Sequence, residues 1–154
     1  MIRDFKIFED YVNEAKAPDI KASVVVIENE LDEILILERS SKSKLQGWGL
    51  PGGKVEKGES IKDAAIREAY EETKIYLKKS KLQFIGIGYS VKDFQIAIYY
   101  YKLWKTPKVK LSVEHQDYKW TNQPEIYNLA GNTLDYIQKV KNMNDIFEIA
   151  HISF

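Results

Sequence analysis

Residues 53–75, GKVEKGESIKDAAIREAYEETKI, bring Glu68, Glu71 and Glu72 together on one short segment. Ile61, Ala64 and Ala65 precede them at the i, i+3, i+4 spacing of a single helical face, which predicts a core-packing helix. At about 100° per residue, the three carboxylates fall within an arc of roughly 100° that continues this apolar stripe. Carboxylates that close repel one another, and burying them unpaired costs several kcal/mol or forces protonation. A hard divalent cation, Mg²⁺ or Mn²⁺, removes the conflict because such ions take oxygen ligands. The plain alternative is a solvated helix face, on which Arg67 and Glu71 form an i, i+4 ion pair worth about 0.2–0.5 kcal/mol.

The elements that position this helix are legible on either side of it. Ser60 and Asp63 form a capping pair, and Glu59 lies at the helix start, where the macrodipole favours a carboxylate. Pro51-Gly52-Gly53 introduces a short strand and turn whose backbone can approach a ligand closely, with a carbonyl for a metal and amides for phosphate. KASVVVIE (21–28) and EILILE (33–38) read as strands of a hairpin around ENELD, with Arg39 ending the second strand and a polar loop over 40–49. Residues 82–89 and 93–104 are two further strands, and Tyr118 to Thr121 a last one. Phe5, Phe8, Tyr11, Val12 and Ala15 mark an N-terminal packing helix over 4–15, stopped by Pro18, and 124–141 returns to helix. Tyr99, Tyr100 and Tyr101 alternate across a strand, which suits plain packing or one ring lining a nucleotide pocket. The alternation predicts an α/β fold, a mixed sheet sandwiched between helices.

A chain of 154 residues that is 44% hydrophobic is sized for one domain, taken here as 1–154. Lys plus Arg and Asp plus Glu are both 23, so no basic field recruits nucleic acid or an anionic membrane. The absence of cysteine excludes disulfides, thiolate catalysis and cysteine-ligated zinc, and two histidines make a histidine-rich zinc site equally remote. No run of about 18 apolar residues predicts a membrane span. MIRDFKIFEDY lacks the apolar core of a secretion signal, so a cytoplasmic location is the expectation.

The spacing of Gly53, Glu59, Arg67, Glu68, Ala69, Glu71, Glu72 and Ile75 resembles the signature of the Nudix hydrolases, as does the approach Trp48-Gly49-Leu50-Pro51-Gly52-Gly53. Lys74 stands where the family usually has a second glycine, which predicts a changed helix exit with the ligands left intact. A second segment, Leu111-Ser112-Val113-Glu114-His115-Gln116-Asp117-Tyr118-Lys119-Trp120, resembles one found in several subfamilies, including the dinucleoside polyphosphate hydrolases. The resemblance implies the α/β/α Nudix fold. It implies metal ligation by Glu68, Glu72, the Gly52 carbonyl and Glu114, with Glu71 either ligating or pairing with Arg67. Arg67 would orient a carboxylate by a bidentate contact, and Glu59 would pack the loop through that arginine. Glu68 is the first candidate for the general base and Glu114 the second. Arg39 and Gly53 are expected to contact substrate. His115 is read as a loop or packing residue, and Tyr118 and Trp120 as core aromatics.

The function these readings imply is a Mg²⁺-dependent (or Mn²⁺-dependent) pyrophosphohydrolase acting on a nucleoside diphosphate linked to another moiety. A dinucleoside polyphosphate or a nucleoside triphosphate is the favoured substrate. The rivals are an ADP-ribose or nucleotide-sugar pyrophosphatase, an RNA-end pyrophosphohydrolase using a local patch from Lys105, Lys108 and Lys110, and a non-catalytic nucleotide sensor. The expected partner is a small nucleotide, with neither membrane nor nucleic acid, and a homodimer is compatible with the sequence.

Overall fold

The computed structural model describes residues 20–42, 47–89 and 95–122. The helices expected over 4–15 and 124–141 lie outside the described residues. The described strands are β1 (Ile20–Glu28), β2 (Ile34–Arg39), β3 (Trp48–Gly49), β4 (Gly52–Lys54), β5 (Gln83–Tyr89), β6 (Gln95–Lys102) and β7 (His115–Thr121). They form one mixed seven-stranded sheet with a path β3-β2-β1-β6-β5, to which β4 adds through β1 and β7 through β2. Helix α1 (Ile61–Thr73) packs on one face.

The continuous aliphatic runs of β1 and β2 are those of strands buried on both faces. Val25, Ile27, Leu35, Leu37, Ala97 and Tyr99 face Ile61, Ala65 and Ala69 of α1, whereas Val24, Val26, Ile34, Ile36, Ile96 and Ile98 form a second cluster on the opposite face. Each fully buried aliphatic side chain contributes about 1.5–3 kcal/mol by leaving water. The tyrosine alternation follows the same rule. Tyr99 is wholly buried, Tyr101 nearly so with its hydroxyl accepting from Lys78 N–H, and Tyr100 donates to Glu28 Oε1 at 2.9 Å. All three pack in or against the core clusters.

Two topological expectations are corrected. The turn of ENELD forms, with Asn29 Oδ1 accepting from Leu31 and Glu33 N–H, but β1 and β2 pair only at Glu28↔Ile34 and then diverge. Their edges are taken by other strands. Val24 and Ser23 pair with Gly52 and Gly53 of β4, and β2 pairs along its length with β7. The last strand is accordingly longer than expected, starting at His115 rather than Tyr118. Tyr118 is 38% exposed and not a core residue, while Trp120 packs against the core. The β6 strand ends at Lys102, leaving Trp104 outside it and exposed.

The exit of α1 also differs from expectation. Lys74 adopts the left-handed conformation itself, at φ 60 and ψ 21, and its N–H reaches the Tyr70 carbonyl at 2.8 Å. A side chain there costs about 1–2 kcal/mol. The Lys74 ammonium lies 5.0 Å from the Tyr70 ring centroid, and the buried Thr73 hydroxyl bridges Ala69 O and Ile75 N–H. These contacts hold a glycine-type exit without glycine.

Candidate active site

The Ser60 hydroxyl caps α1 by accepting from Asp63 N–H at 3.0 Å, and Glu59 leads into it. Over its last turns the buried face passes from alanine to carboxylate: Ala65, Ala69, Glu72 and Thr73 are buried. Of the three clustered glutamates only Glu72 is fully buried. Glu68 is 15% exposed at the side chain and Glu71 55% exposed.

Strand β4 supplies the second wall. Gly52 N–H donates to Glu72 Oε1 at 2.8 Å, so this amide is committed to a carboxylate and not directed at phosphate as expected. Gly52 is squeezed against β1, where a Cβ would meet Ser23 O at 2.2 Å. Gly53 lies against Glu68, and a Cβ there would come within 2.5 Å of the Glu68 carboxyl carbon. Close approach demands glycine at Gly52, against backbone, and keeps Glu68 in its place at Gly53, against the end of a functional side chain.

Arg67 fastens the loop, helix and strand together. Its bidentate contact is with Glu59, at 2.7 Å and 3.0 Å, and not with one of the three clustered carboxylates. From that anchor Nη1 reaches Glu68 Oε1 at 3.0 Å and Glu71 Oε2 at 3.3 Å, and Nη2 donates to Lys54 O at 3.0 Å. Glu71 therefore pairs with Arg67, one of its two expected roles.

The third wall comes from the segment before β7. Helix ends leave carbonyls without partners, and here Lys110 N–H donates to Thr73 O at 3.0 Å and Ser112 N–H to Glu72 O at 3.4 Å. Glu114 O accepts from Ser40 N–H at 2.9 Å. The turn carrying Glu114 is thus tied at one end to the helix bearing Glu72 and at the other to the strand end bearing Arg39. One ligand atom each from Glu72, Glu114 and His115 lies within 4.8 Å of the others. Beside them opens a cleft of about 470 Å³ lined by Arg39, Ser40, Lys42, Val113, Glu114 and His115.

The electrostatics are those of crowded, desolvated carboxylates. Burial pushes Glu72 up to about 8, opposed by the Gly52 hydrogen bond and reinforced by Glu68 and Glu114. Burial likewise raises Glu68 against the pull of Arg67, with Glu71 and Glu114 adding to the rise. His115 is lowered, first by burial and then by Arg39, with Glu114 opposing. Arg67 is held cationic, first by its hydrogen bond to Glu59. A donor set of carboxylates with an unfavourable shared charge suits a hard divalent cation, which takes oxygen ligands and relieves the repulsion.

Most of the candidate site residues fall in this region, while Glu71 turns outward on Arg67. Glu68, Glu72, Gly52, Gly53 and Arg67 meet at α1 and β4, and Glu114 and Arg39 meet at the cleft. Sequence reasoning missed Lys42 and read His115 as a loop or packing residue. Lys42 joins the cleft wall, and His115 is buried against Glu72 at 3.6 Å. The available signals for it were its adjacency to Glu114 and its place in the Leu111–Trp120 segment. Among the described residues, no helix is long and apolar enough to cross a membrane.

Residues 18–140 match the NUDIX domain family. The chain is 29% identical over 119 residues to the Nudix hydrolase YvcI of Bacillus subtilis, covering 70% of this chain and 73% of that one. Its fold matches that of the MutT protein from Methanosarcina mazei, with a TM-score of 0.64, 28% identity, and coverage of 87% of this chain and 94% of that one. An Ap4A hydrolase of Caenorhabditis elegans matches with a TM-score of 0.65 and 27% identity, over 87% of this chain and 100% of that one. The family match over most of the chain and the shared fold agree, and the chain belongs to the Nudix family as a hydrolase of pyrophosphate bonds.

Proposed function

We propose that this chain is a Mg²⁺- or Mn²⁺-dependent pyrophosphohydrolase whose substrate is a dinucleoside polyphosphate or a nucleoside triphosphate. The observation that carries the reading is the convergence of Glu72 from α1 with Glu114 from a distant turn, with the Glu68 charge acting on the same buried group, beside a cleft walled by Arg39 and Lys42. Carboxylates would hold the cation while two basic side chains hold the polyphosphate. The dinucleoside polyphosphate reading draws on the segment Leu111 to Trp120 and on the likeness to the C. elegans Ap4A hydrolase.

Glu68, Glu72 and Glu114 are the residues that would hold the ion, with the Gly52 carbonyl as a further donor. Glu71, turned outward on Arg67, is the weaker candidate. When bound, a divalent ion supplies charge neutralisation on the diphosphate and a lowered pKa for its water. The chain itself supplies the rest. Arg39 and Lys42 bind and orient the anionic chain. Glu68, raised above the ordinary carboxylate range and steadied by Arg67, accepts the proton of the attacking water, with Glu114 as the second candidate. Water attacks phosphorus, the phosphoanhydride bond breaks, and a nucleotide leaves with a phosphorylated remainder.

The reading is tested by incubating the protein and Mg²⁺ with nucleoside triphosphates, dinucleoside polyphosphates, ADP-ribose, nucleotide sugars and capped RNA. Hydrolysis of the turned-over substrate in ¹⁸O-labelled water should place the label in a phosphate of one product. Label on a sugar carbon would overturn the reaction class, and exclusive turnover of ADP-ribose, a nucleotide sugar or capped RNA would overturn the substrate.

A further inference from the structure

The Glu72 carboxylate is approached from two sides. Its Oε1 accepts from Gly52 N–H at 2.8 Å, and its Oε2 lies 3.6 Å from His115 Nε2. Both side chains are buried, His115 at 8% and Glu72 at 6% exposure. A register shift between Glu38 and Arg39 in the β2–β7 ladder sets His115 opposite Arg39, and irregularities of this kind re-aim a side chain that regular alternation would point elsewhere. The backbone N–H of His115 donates to Ser112 O at 3.3 Å, so its backbone is held to the turn that carries Glu114. The remaining ring nitrogen, Nδ1, is buried and has no hydrogen-bond partner among the described residues. An apolar side chain of similar size would fill this space without desolvating two nitrogens. Packing alone therefore does not account for an imidazole here.

We propose that His115 is a positioning residue: its imidazole, presented through Nε2, restrains the second oxygen of Glu72 and couples the Glu114 turn to the carboxylate buried on α1. At 3.6 Å the contact is longer than a formed hydrogen bond, and its effect is to limit the orientations the carboxylate samples. Gly52 limits the same group from the other side. Partners of metal-binding side chains act in this way, and their loss typically costs about 10–100-fold in metal affinity. The inference rests on the metal-binding reading of Glu72.

The test uses the full chain, with Mn²⁺ alone as probe and the free-ion electron paramagnetic resonance signal as readout. The variants are Glu72→Gln, His115→Gln, which keeps an N–H donor, and His115→Phe, which keeps bulk without one. Thermal melting establishes that each is folded, and His115→Leu replaces His115→Phe should the latter not fold. The expected result is at least about tenfold weaker Mn²⁺ binding for the apolar variant, near wild-type binding for His115→Gln, and no directly bound ¹⁴N coupling in the wild-type Mn²⁺ spectrum. Wild-type affinity in the apolar variant, with affinity lost in Glu72→Gln, would overturn the positioning role alone. A ¹⁴N coupling that vanishes in His115→Gln would overturn it in favour of direct ligation. Unchanged binding in Glu72→Gln would remove the metal reading on which the inference stands.

Discussion

Gly53 and Glu68 are in such close contact that a methyl group on Gly53 would fall 2.5 Å from the Glu68 carboxyl carbon and 2.6 Å and 2.7 Å from its two oxygens. The Glu68 end group is flexible and can move aside, so Gly53→Ala should leave the fold standing while expelling the carboxylate from its place. Activity should fall by at least about tenfold with a melting temperature close to wild type. Gly52→Ala should behave differently, because its added Cβ would meet Ser23 O and Val24 Cα, at 2.2 Å and 2.6 Å, which are backbone. That variant should lose about 1–3 kcal/mol in urea unfolding. Equal loss of stability in both variants would contradict the distinction.

Replacing Glu72 by glutamine removes the ability to ionise from a buried, crowded group. Turnover at saturating Mg²⁺ should drop by about 10²-fold or more. The metal-free melting temperature should stay equal or rise, because burial and the nearby Glu68 and Glu114 charges already oppose ionisation there. Unchanged turnover would remove Glu72 from the metal site.

Glu68→Gln and Glu114→Gln separate the two candidates for water activation. With Glu68 as base, its variant should lose about 10²–10⁴-fold in kcat, and Glu114→Gln should retain measurable turnover. Both must be compared with Mg²⁺ titrated to saturation, since lost affinity imitates lost chemistry. The reverse order would move the base to the turn before β7.

The Glu59–Arg67 pair predicts a shape for the acid side of the stability profile. The Glu59 carboxyl sits below its ordinary 4.5, first because of the Arg67 hydrogen bond and against the effect of burial. A depressed folded pKa stabilises fully above the unfolded value and loses that stabilisation as pH falls through the folded one. Glu59→Gln should therefore be less stable than wild type at pH 7, with the gap closing below about pH 4. A gap that stays constant from pH 7 down to about pH 3 would show that the carboxylate charge contributes nothing.

Much of the site was legible before any coordinates because its parts are local. The helix over Ile61–Thr73 follows from a 3.6-residue period and a serine cap, both properties of adjacent residues. The strands of β1, β2, β5 and β6 follow from aliphatic and aromatic runs in the same way. What failed to show was pairing. ENELD does make a turn, yet β1 stays paired with β2 only at Glu28↔Ile34 and takes Gly52 and Gly53 as neighbours farther back, because edge hydrogen bonds are available to any strand that topology brings near. Lys74 illustrates the opposite error: local preference disfavours its left-handed conformation, and the Tyr70 ring and Thr73 hydroxyl hold it there.

By itself, the sequence determined the acidic helix and the glycine strand that precedes it, since these arise from residue type and short spacing. Only the tertiary structure decided which carboxylate is buried, how Arg67 divides itself among Glu59, Glu68 and Glu71, and that His115 meets Glu72. The physical reason is that burial and long-range hydrogen bonding depend on what the rest of the chain places opposite a residue. The unpaired carbonyls of Glu72 and Thr73 find their donors in Ser112 and Lys110, and that contact brings Glu114 to the site.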